Sequence, residues 1–370
     1  MRLSLSTTAS LIALVQSSLV PDSSCDCFLT NSSEPAYFSN HLFFDFRNLA
    51  SHASVSAAIT NPKDTPTAPP TSKYFQSEAW TKSWELQTWS NSKGGGNNFA
   101  GDATVLMINS PNNIYIERST DSATHLTLRT KRLASFQTAA QFQSQSSNYQ
   151  YLSLRLLART VGEPGGVSAF FTYRDAGKLA DIQEADLEVV TQGPRKNVHC
   201  TNQPSYTENG ATKPDVTRNA TLPRGLGWSD WAVYRLDWTP GASVWYVDGE
   251  MIANITFQVP RDAAGINFNS WGDGGSWSGN MSVGAESSLQ IQWIEMVFNT
   301  TDSKGRSLRR DGSGSAKGGL CGAVCSIDDG AERGKGVTKL WGEKTKSAGV
   351  RMEASWCLLV FVVCLVLEFS

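Results

Sequence analysis

Histidine is scarce in this chain, with four residues in 370. None is spaced with a cysteine or an acid as metal ligands are. The seven cysteines include no C-x-x-C pair, and the CGAVC run has the wrong spacing. A zinc site is therefore not expected, nor is a cofactor, and no residues mark a place for a structural calcium ion. A strong charge of either sign is also missing: the net charge is −2. Without a basic footprint, nucleic acid is not an expected partner. There is no internal repeat and no long heptad run, which removes solenoids and coiled coils. No apolar run reaches the roughly 20 residues that a membrane-spanning helix needs. The longest, WCLLVFVVCLVL from Trp356 to Leu367, has 12.

What is present points to an all-β extracellular domain. Glycine, serine, threonine and asparagine are frequent, and there are 12 tryptophans. Turn-rich aromatic sequences of this kind suit sheets better than helices. Residues 1–20 carry Arg2, an apolar stretch from Leu11 to Val15, then Ser17 and Ser18, and are expected to be a signal peptide. At the other end, Ser347-Ala348-Gly349, a short polar spacer and the apolar tail of residues 350–370 have the order of a GPI-attachment signal. Five N-x-S/T sequons, at Asn31, Asn219, Asn254, Asn280 and Asn299, agree with a secreted or cell-surface location. Removal of both terminal signals would leave Cys25, Cys27, Cys200, Cys321 and Cys325. Bridges fastening the two ends, with Cys200 left over, are expected; the three pairings open to four cysteines stay open.

Between the ends, composition marks the organisation. Residues 51–72 are rich in Ala, Thr and Pro and read as a solvated loop. Residues 304–349 are rich in Gly, Ser and Lys and read as linker. The compact core is thus placed near 36–300, without an expected partner copy. Short alternating runs fill it: His41 to Leu49, Ala103 to Ser110, Asn113 to Arg118, His125 to Thr130, Tyr149 to Ala158, Val167 to Arg174 and Ser288 to Asn299. Asp248-Gly249 between apolar runs signals a two-residue hairpin. A dozen strands with almost no helix imply a sandwich or jelly roll.

One segment does not fit a purely structural role. In DIQEADLEVVTQ, from Asp181 to Gln192, Glu184, Asp186 and Glu188 alternate with Ala185 and Leu187. On a strand all three acids share one face. With 34 acids in 370 residues, chance supplies roughly 0.3 such patterns per chain, so the pattern alone is weak. Its setting strengthens it, because like charges on one face of a strand destabilise a sheet that only has to fold. Two glutamates four positions apart, leaning inward, bring their tips near the separation of about 5–5.5 Å used by retaining glycosidases. Mutual repulsion then keeps an acid protonated near neutral pH.

Glu184-Ala185-Asp186-Leu187-Glu188 resembles the E-x-D-x-E signature of glycoside hydrolase family 16. The likeness continues in YQYLSLRLLA, in the Trp-rich YRLDWTPGASVWYVDGEMIA and in NFNSWGDGGSWSGN. The opening CDCFLTNSSEPAYFSNHLFFDFRNL is similar to secreted fungal members. The resemblance covers about residues 25–330. It implies an all-β, concanavalin-like jelly roll of two antiparallel sheets with a substrate cleft. It further implies a retaining mechanism with Glu184 as nucleophile, Asp186 as assisting carboxylate and Glu188 as general acid/base. The motif lacks the extra residue that some laminarinase-type members carry before the last Glu.

A polysaccharide cleft needs aromatic faces for sugar rings. Trp271 and Trp277, read here as parts of a Gly-rich loop, are the candidates, with Asn269 and Tyr206 as polar and aromatic partners. Trp238, Trp245 and Trp293 follow strand periodicity and are assigned to the core. Phe171 and Tyr173 share one face and suit either cleft or core, and His199 is read as incidental. Three functions compete: a retaining endo-β-glucan hydrolase for 1,3 or mixed 1,3/1,4 linkages, a cell-wall transglycosylase remodelling glucan or chitin, and a lectin-like binding module. The intact acidic set counts against the third.

Overall fold

The computed structural model describes residues 19–33, 35–94, 98–119, 123–301, 321–328 and 336–343. The apolar tail of 350–370, nearly all of the expected signal peptide and most of the expected linker lie outside them.

Two antiparallel layers form the sandwich. The first runs, in spatial order, Thr217–Thr221, Asn197–Gln203, Gln183–Val190, Val167–Arg174, Gly265–Trp271, Phe136–Ser144 and Trp84–Leu86. The second runs Ile114–Arg118, Thr124–Arg132, Glu286–Thr300, Tyr149–Gly162, Ala232–Trp238, Ser243–Val247 and Glu250–Ile255. Asn40–Asp45 pairs with the outer half of Glu286–Thr300. Phe136–Ser144 belongs to both layers. Its first residues lie beside Leu106–Asn109 and its last beside Gly265–Trp271. Strands that switch layers in this way close the corner of a sandwich.

Period-two alternation decides what each strand buries. Ala185, Leu187 and Val189 point into the space between the layers, with Phe170, Ile266, Phe268, Ala140 and Phe142 from their neighbours. Leu152, Leu154, Leu156, Tyr234, Leu236, Trp238 and Trp245 meet them from the second layer. At one end of this core Phe142 stacks on Phe268 at 4.7 Å, and Trp84 meets Phe142 edge-on at 5.2 Å, both favoured aromatic geometries. Trp238, Trp245 and Trp293 are all buried, as their periodicity implies. The Asp248-Gly249 hairpin is also present: both residues have positive φ, 47° and 82°, as a turn matching sheet twist requires.

A second, five-stranded sheet was not expected. Its order is Leu19–Val20, Val337–Gly342, Ala323–Ser326, Cys27–Leu29 and Tyr37–Phe38. It therefore takes in the end of the expected leader and two pieces of the stretch read as linker. Two disulfides, Cys25–Cys325 and Cys27–Cys321, hold it together, and Cys200 is free and buried. The sheet lies on the outer face of the second layer, where Phe28 and Phe38 pack with Val297. Arg155 and Arg235, on the face opposite Leu154 and Leu236, reach out to it. Both ion-pair with buried Asp328, at 2.5 and 3.2 Å, and Arg235 also holds Asp237 at 2.6 Å. The 51–72 stretch is more ordered than a solvated loop: it contains short 3-10 turns at Ala50–His52 and Pro62–Thr67.

The disulfides close loops of 300 and 294 residues, so each removes much chain entropy from the unfolded state. A variant with all four of these cysteines changed to Ser is expected to lose about 4 kcal/mol or more. Thermal melts should show a midpoint at least about 8 °C lower. An unchanged midpoint would mean that the small sheet contributes nothing to the stability of the sandwich.

Candidate active site

The face of the first layer turned away from the core is the floor of a cleft of about 690 Å³. Strand register lays its side chains out in rows. Glu188 is opposite Ala169, then Asn269, then Gln141. Asp186 is opposite Phe171, then Asn267, Gln143 and Glu85. Glu184 is opposite Tyr173. On the other side of the acidic strand, Gln203, Thr201 and His199 face Glu184, Asp186 and Glu188 in turn. Phe171 and Tyr173 are therefore cleft residues. The cleft is lined further by Trp89, Asn91, Asn109 and Trp271.

The three carboxyls differ in surroundings. Asp186 is 1% exposed; Gln203 Nε2 donates to its Oδ2 at 3.2 Å, and Thr201 lies directly opposite it on the next strand. Glu184 and Glu188 are half-buried and line the cleft. Desolvation pushes the Glu184 carboxyl up to about 8, and the charge of Glu188 adds to this. Desolvation also raises Glu188, to about 7, while a hydrogen bond from Trp277 opposes it. Asp186 is raised well above its ordinary value by burial and then by both glutamates. The three titrate together, so the shifts belong to the cluster. Near neutral pH the cluster therefore retains protons that isolated carboxyls would lose.

The structure brings most of the proposed sugar contacts together. Asn269 lines the cleft floor, and its buried Oδ1 has no hydrogen-bond partner among the described residues. Trp271 also lines the cleft, but it ends the Gly265–Trp271 strand and is not part of a loop. Trp277 does lie in the following turn, with its indole edge-on to His199, the residue opposite Glu188 on the next strand. Tyr206 is 49% exposed, bridges to Thr212 and is not among the residues lining the cleft. It does lie close enough to Tyr173 to affect its titration. Sequence reading missed Trp89 and the amides Gln87, Asn91, Asn109, Gln141, Gln143 and Asn267, all on the cleft wall. The signal was available in FQTAAQFQS, where polar residues alternate with apolar ones.

The model of the glycosyl hydrolases family 16 matches residues 103–295, more than half of the chain, and the protein belongs to that family. Among curated proteins it is similar to a beta-glucanase of Paenibacillus polymyxa, 26% identical over 156 residues. These are 42% of this chain and 62% of that one. It is likewise similar to a beta-glucanase of Bacillus licheniformis, 27% identical over 132 residues, or 35% of this chain and 51% of that one. The chain thus spans only half to three-fifths of the length of these relatives. Among solved structures, an endo-beta-1,3-glucanase from Pyrococcus furiosus superposes with a TM-score of 0.49 at 16% identity, covering 74% of this chain and 99% of that one. A beta-1,3-1,4-glucanase from a mouse hindgut metagenome gives 0.47 at 20% identity, covering 70% and 99%.

The raised carboxyls have a stability cost with a definite sign. Their folded pKa values exceed the unfolded ones, so the stability they leave intact at about pH 4 is lost as pH rises through about 8. Glu184→Gln removes one ionisable member. It is expected to melt with wild type at about pH 4 and several degrees higher at about pH 9, a gain of about 1–3 kcal/mol. Equal melting midpoints at the higher pH would contradict the repulsion described for this strand.

Proposed function

We propose that the protein is a retaining endo-acting glycoside hydrolase for β-glucan with 1,3 or mixed 1,3/1,4 linkages. The observation that carries this reading is the set of three carboxyls on one strand face at the floor of an open, amide- and aromatic-lined cleft. In the first step Glu188 gives its proton to the glycosidic oxygen as the C1–O bond breaks. The Glu184 carboxylate attacks C1 from the opposite face and forms a glycosyl ester. In the second step Glu188 takes a proton from water, the water oxygen attacks C1, and Glu184 leaves as carboxylate. Two inversions give net retention.

The chemistry needs the single negative charge on Glu184 and the proton on Glu188. In the free protein burial raises both glutamates, so protons stay in the cluster near neutral pH. A glycosidic oxygen over Glu188 supplies an acceptor for its proton and so favours the productive form. Asp186, held by Gln203 at 3.2 Å, is the buried carboxyl between the two glutamates, and its charge and theirs raise one another. Activity is expected to decline above about pH 7–8, as Glu188 loses its proton.

The substrate class follows from the cleft wall. Amide side chains offer donors and acceptors without charge, and Trp89 and Trp271 offer faces for sugar rings. We further infer a secreted or cell-surface location, with the apolar tail as the anchor signal. Asn31, Asn219, Asn254 and Asn280 are exposed and open to glycosylation. Asn299 is engaged by Ser39 and Tyr37.

Product analysis on laminarin, lichenan and a chitin oligomer tests the reading. Wild type is expected to release short fragments from one or both glucans, and Glu184→Gln to be slower by at least about 10³-fold. Products longer than the starting oligomers would establish transglycosylation instead. Polymers left unchanged by wild type would overturn the catalytic reading.

A further inference from the structure

Gln203 ends the strand beside the acidic one and lies opposite Glu184. Its amide is fixed at both atoms. Nε2 donates to Asp186 Oδ2 at 3.2 Å, and Oε1 accepts from Ser205 N at 2.7 Å. The second bond settles the first: with the carbonyl oxygen committed to a backbone N–H, the NH₂ group is the end turned to the carboxyl. Gln203 is not among the residues lining the cleft. It lines a separate hollow of about 800 Å³ with Phe257 and Gln258, so it reaches Asp186 from behind the cleft wall.

The segment that carries Gln203 is clamped on both sides of it. Gln258 Nε2 donates to the carbonyls of Asn202 and Pro204, at 3.1 and 3.0 Å, the residues immediately before and after Gln203. Gln258 Oε1 accepts from Lys213 Nζ at 3.0 Å, and Lys213 N donates to Ser205 O at 2.8 Å. Asn202 Nδ2 donates back to the Phe257 carbonyl at 3.0 Å. Gln258 itself sits at φ +54°, in the left-handed region that residues with a Cβ rarely enter. Such a conformation persists where the surroundings over-determine it, and these bonds do so.

The other oxygen of Asp186 supplies an independent observation. Oδ1 is buried and has no hydrogen-bond partner among the described residues. A buried oxygen left in that state is costly unless a proton joins it to a neighbour. Its neighbours on the same strand face are Glu184 and Glu188. With Oδ2 already accepting an N–H, a proton on this carboxyl belongs on Oδ1, where a glutamate can accept it. Resting on the hydrolase reading above, we propose that Gln203 is a positioning residue: it holds Oδ2 of Asp186, so that the proton of this carboxyl is confined to Oδ1 and shared with the glutamates, and Gln258 and Lys213 hold Gln203 in place. The titratable groups facing Asp186 are Glu184 and Glu188 on its own strand, His199 on the next, Tyr173 beside Phe171 on the other, and Lys93 and Asp273 across the cleft.

Gln203→Met keeps the length of the side chain and removes the N–H. On whichever of laminarin and lichenan wild type cleaves, its kcat is expected to fall by about 10-fold or more with KM within about 2-fold. Gln258→Gly suits the left-handed backbone and removes the clamp; it should lower kcat in the same direction by a smaller factor. Gln203→Glu gives the sharper test. Protonated, the new carboxyl donates to Asp186 Oδ2 as the amide does; ionised, it cannot, and it adds a fourth negative charge. The ratio of its kcat to that of wild type should therefore be near one at about pH 5 and drop by about 10-fold or more by about pH 7.5. A ratio that does not change with pH means that the side chain at 203 acts by filling space, and overturns the proposal, as does a loss confined to KM. A carboxyl-¹³C titration of Asp186, assigned by difference with Asp186→Asn, reads the contact without turnover. Its midpoint should rise in Gln203→Met, because the donor that favours the ionised form is gone; an unmoved midpoint also overturns the proposal. Should wild type cleave neither polymer, the hydrolase reading fails while the titration still decides the hydrogen bond. Should Gln203→Met unfold, the pH dependence of Gln203→Glu carries the test.

Discussion

A β-strand has two faces, and Gln183–Val190 uses them for opposite purposes. Ala185, Leu187 and Val189 face the core, and Glu184, Asp186 and Glu188 face the cleft. A one-residue slip in register would bury all three acids and expose the apolar set. The pairings on both sides hold that register: eight residue pairs with Val167–Arg174 and five with Asn197–Gln203. Asp186 depends on it most, since Gln203 and Thr201 reach it from the neighbouring strand. The arrangement opposes folding locally, because it desolvates like charges. It persists because Leu187 and its neighbours are locked into a continuous aromatic and aliphatic core, and burying that area outweighs the local cost.

The rest of the molecule supplies rigidity behind that strand. The core aromatics at Trp84, Phe142 and Phe268 support the cleft strands from below. On the far side, the two disulfides and the Arg155–Asp328–Arg235 ion pairs fasten the five-stranded sheet to the second layer. Removing Asp328 alone would take the ion-pair partner from buried Arg155 and leave Arg235 with Asp237 only, the costly way to break such a set. The molecule thus keeps its buried charges in two places with different logic. Those behind the second layer are compensated by opposite charge. Those in the cleft are not, and remain available for proton transfer.

How much of this was legible in the sequence depends on what each strand does with its second face. The acidic strand was legible because its two faces differ sharply. So were Val167–Arg174, with a buried Phe170, and the Asp248-Gly249 hairpin, whose turn chemistry is local. The paired ends were legible from four cysteines, although which cysteine meets which was not. Three cleft strands were not identified. Phe136–Ser144, Asn197–Gln203 and Gly265–Trp271 carry Gln, Asn, Thr and His where other strands carry apolar residues. Asparagine and glycine in GINFNSW read as loop because propensity scales reflect strands whose faces meet core or water, not a ligand. The same residues placed Trp271 in a loop and hid most of the cleft wall. The sheet formed by Ala323–Ser326 and Val337–Gly342 was missed for another reason: its strands are short and its pairing partners lie some 300 residues away in sequence.

The amide strands and the acidic strand are two parts of one solution. A cleft floor of charged residues would have added its own field to the three carboxyls and shifted them unpredictably. A floor of apolar residues would have held no sugar hydroxyls. Gln141, Gln143, Asn267 and Asn269 avoid both outcomes, because an amide carries a dipole and no net charge. Gln141 Nε2 already donates to Asn267 Oδ1 at 3.2 Å, so part of the row is ordered before any ligand arrives. The strongest local charges on the floor are then the carboxyls themselves, and their titration is governed by burial and by one another.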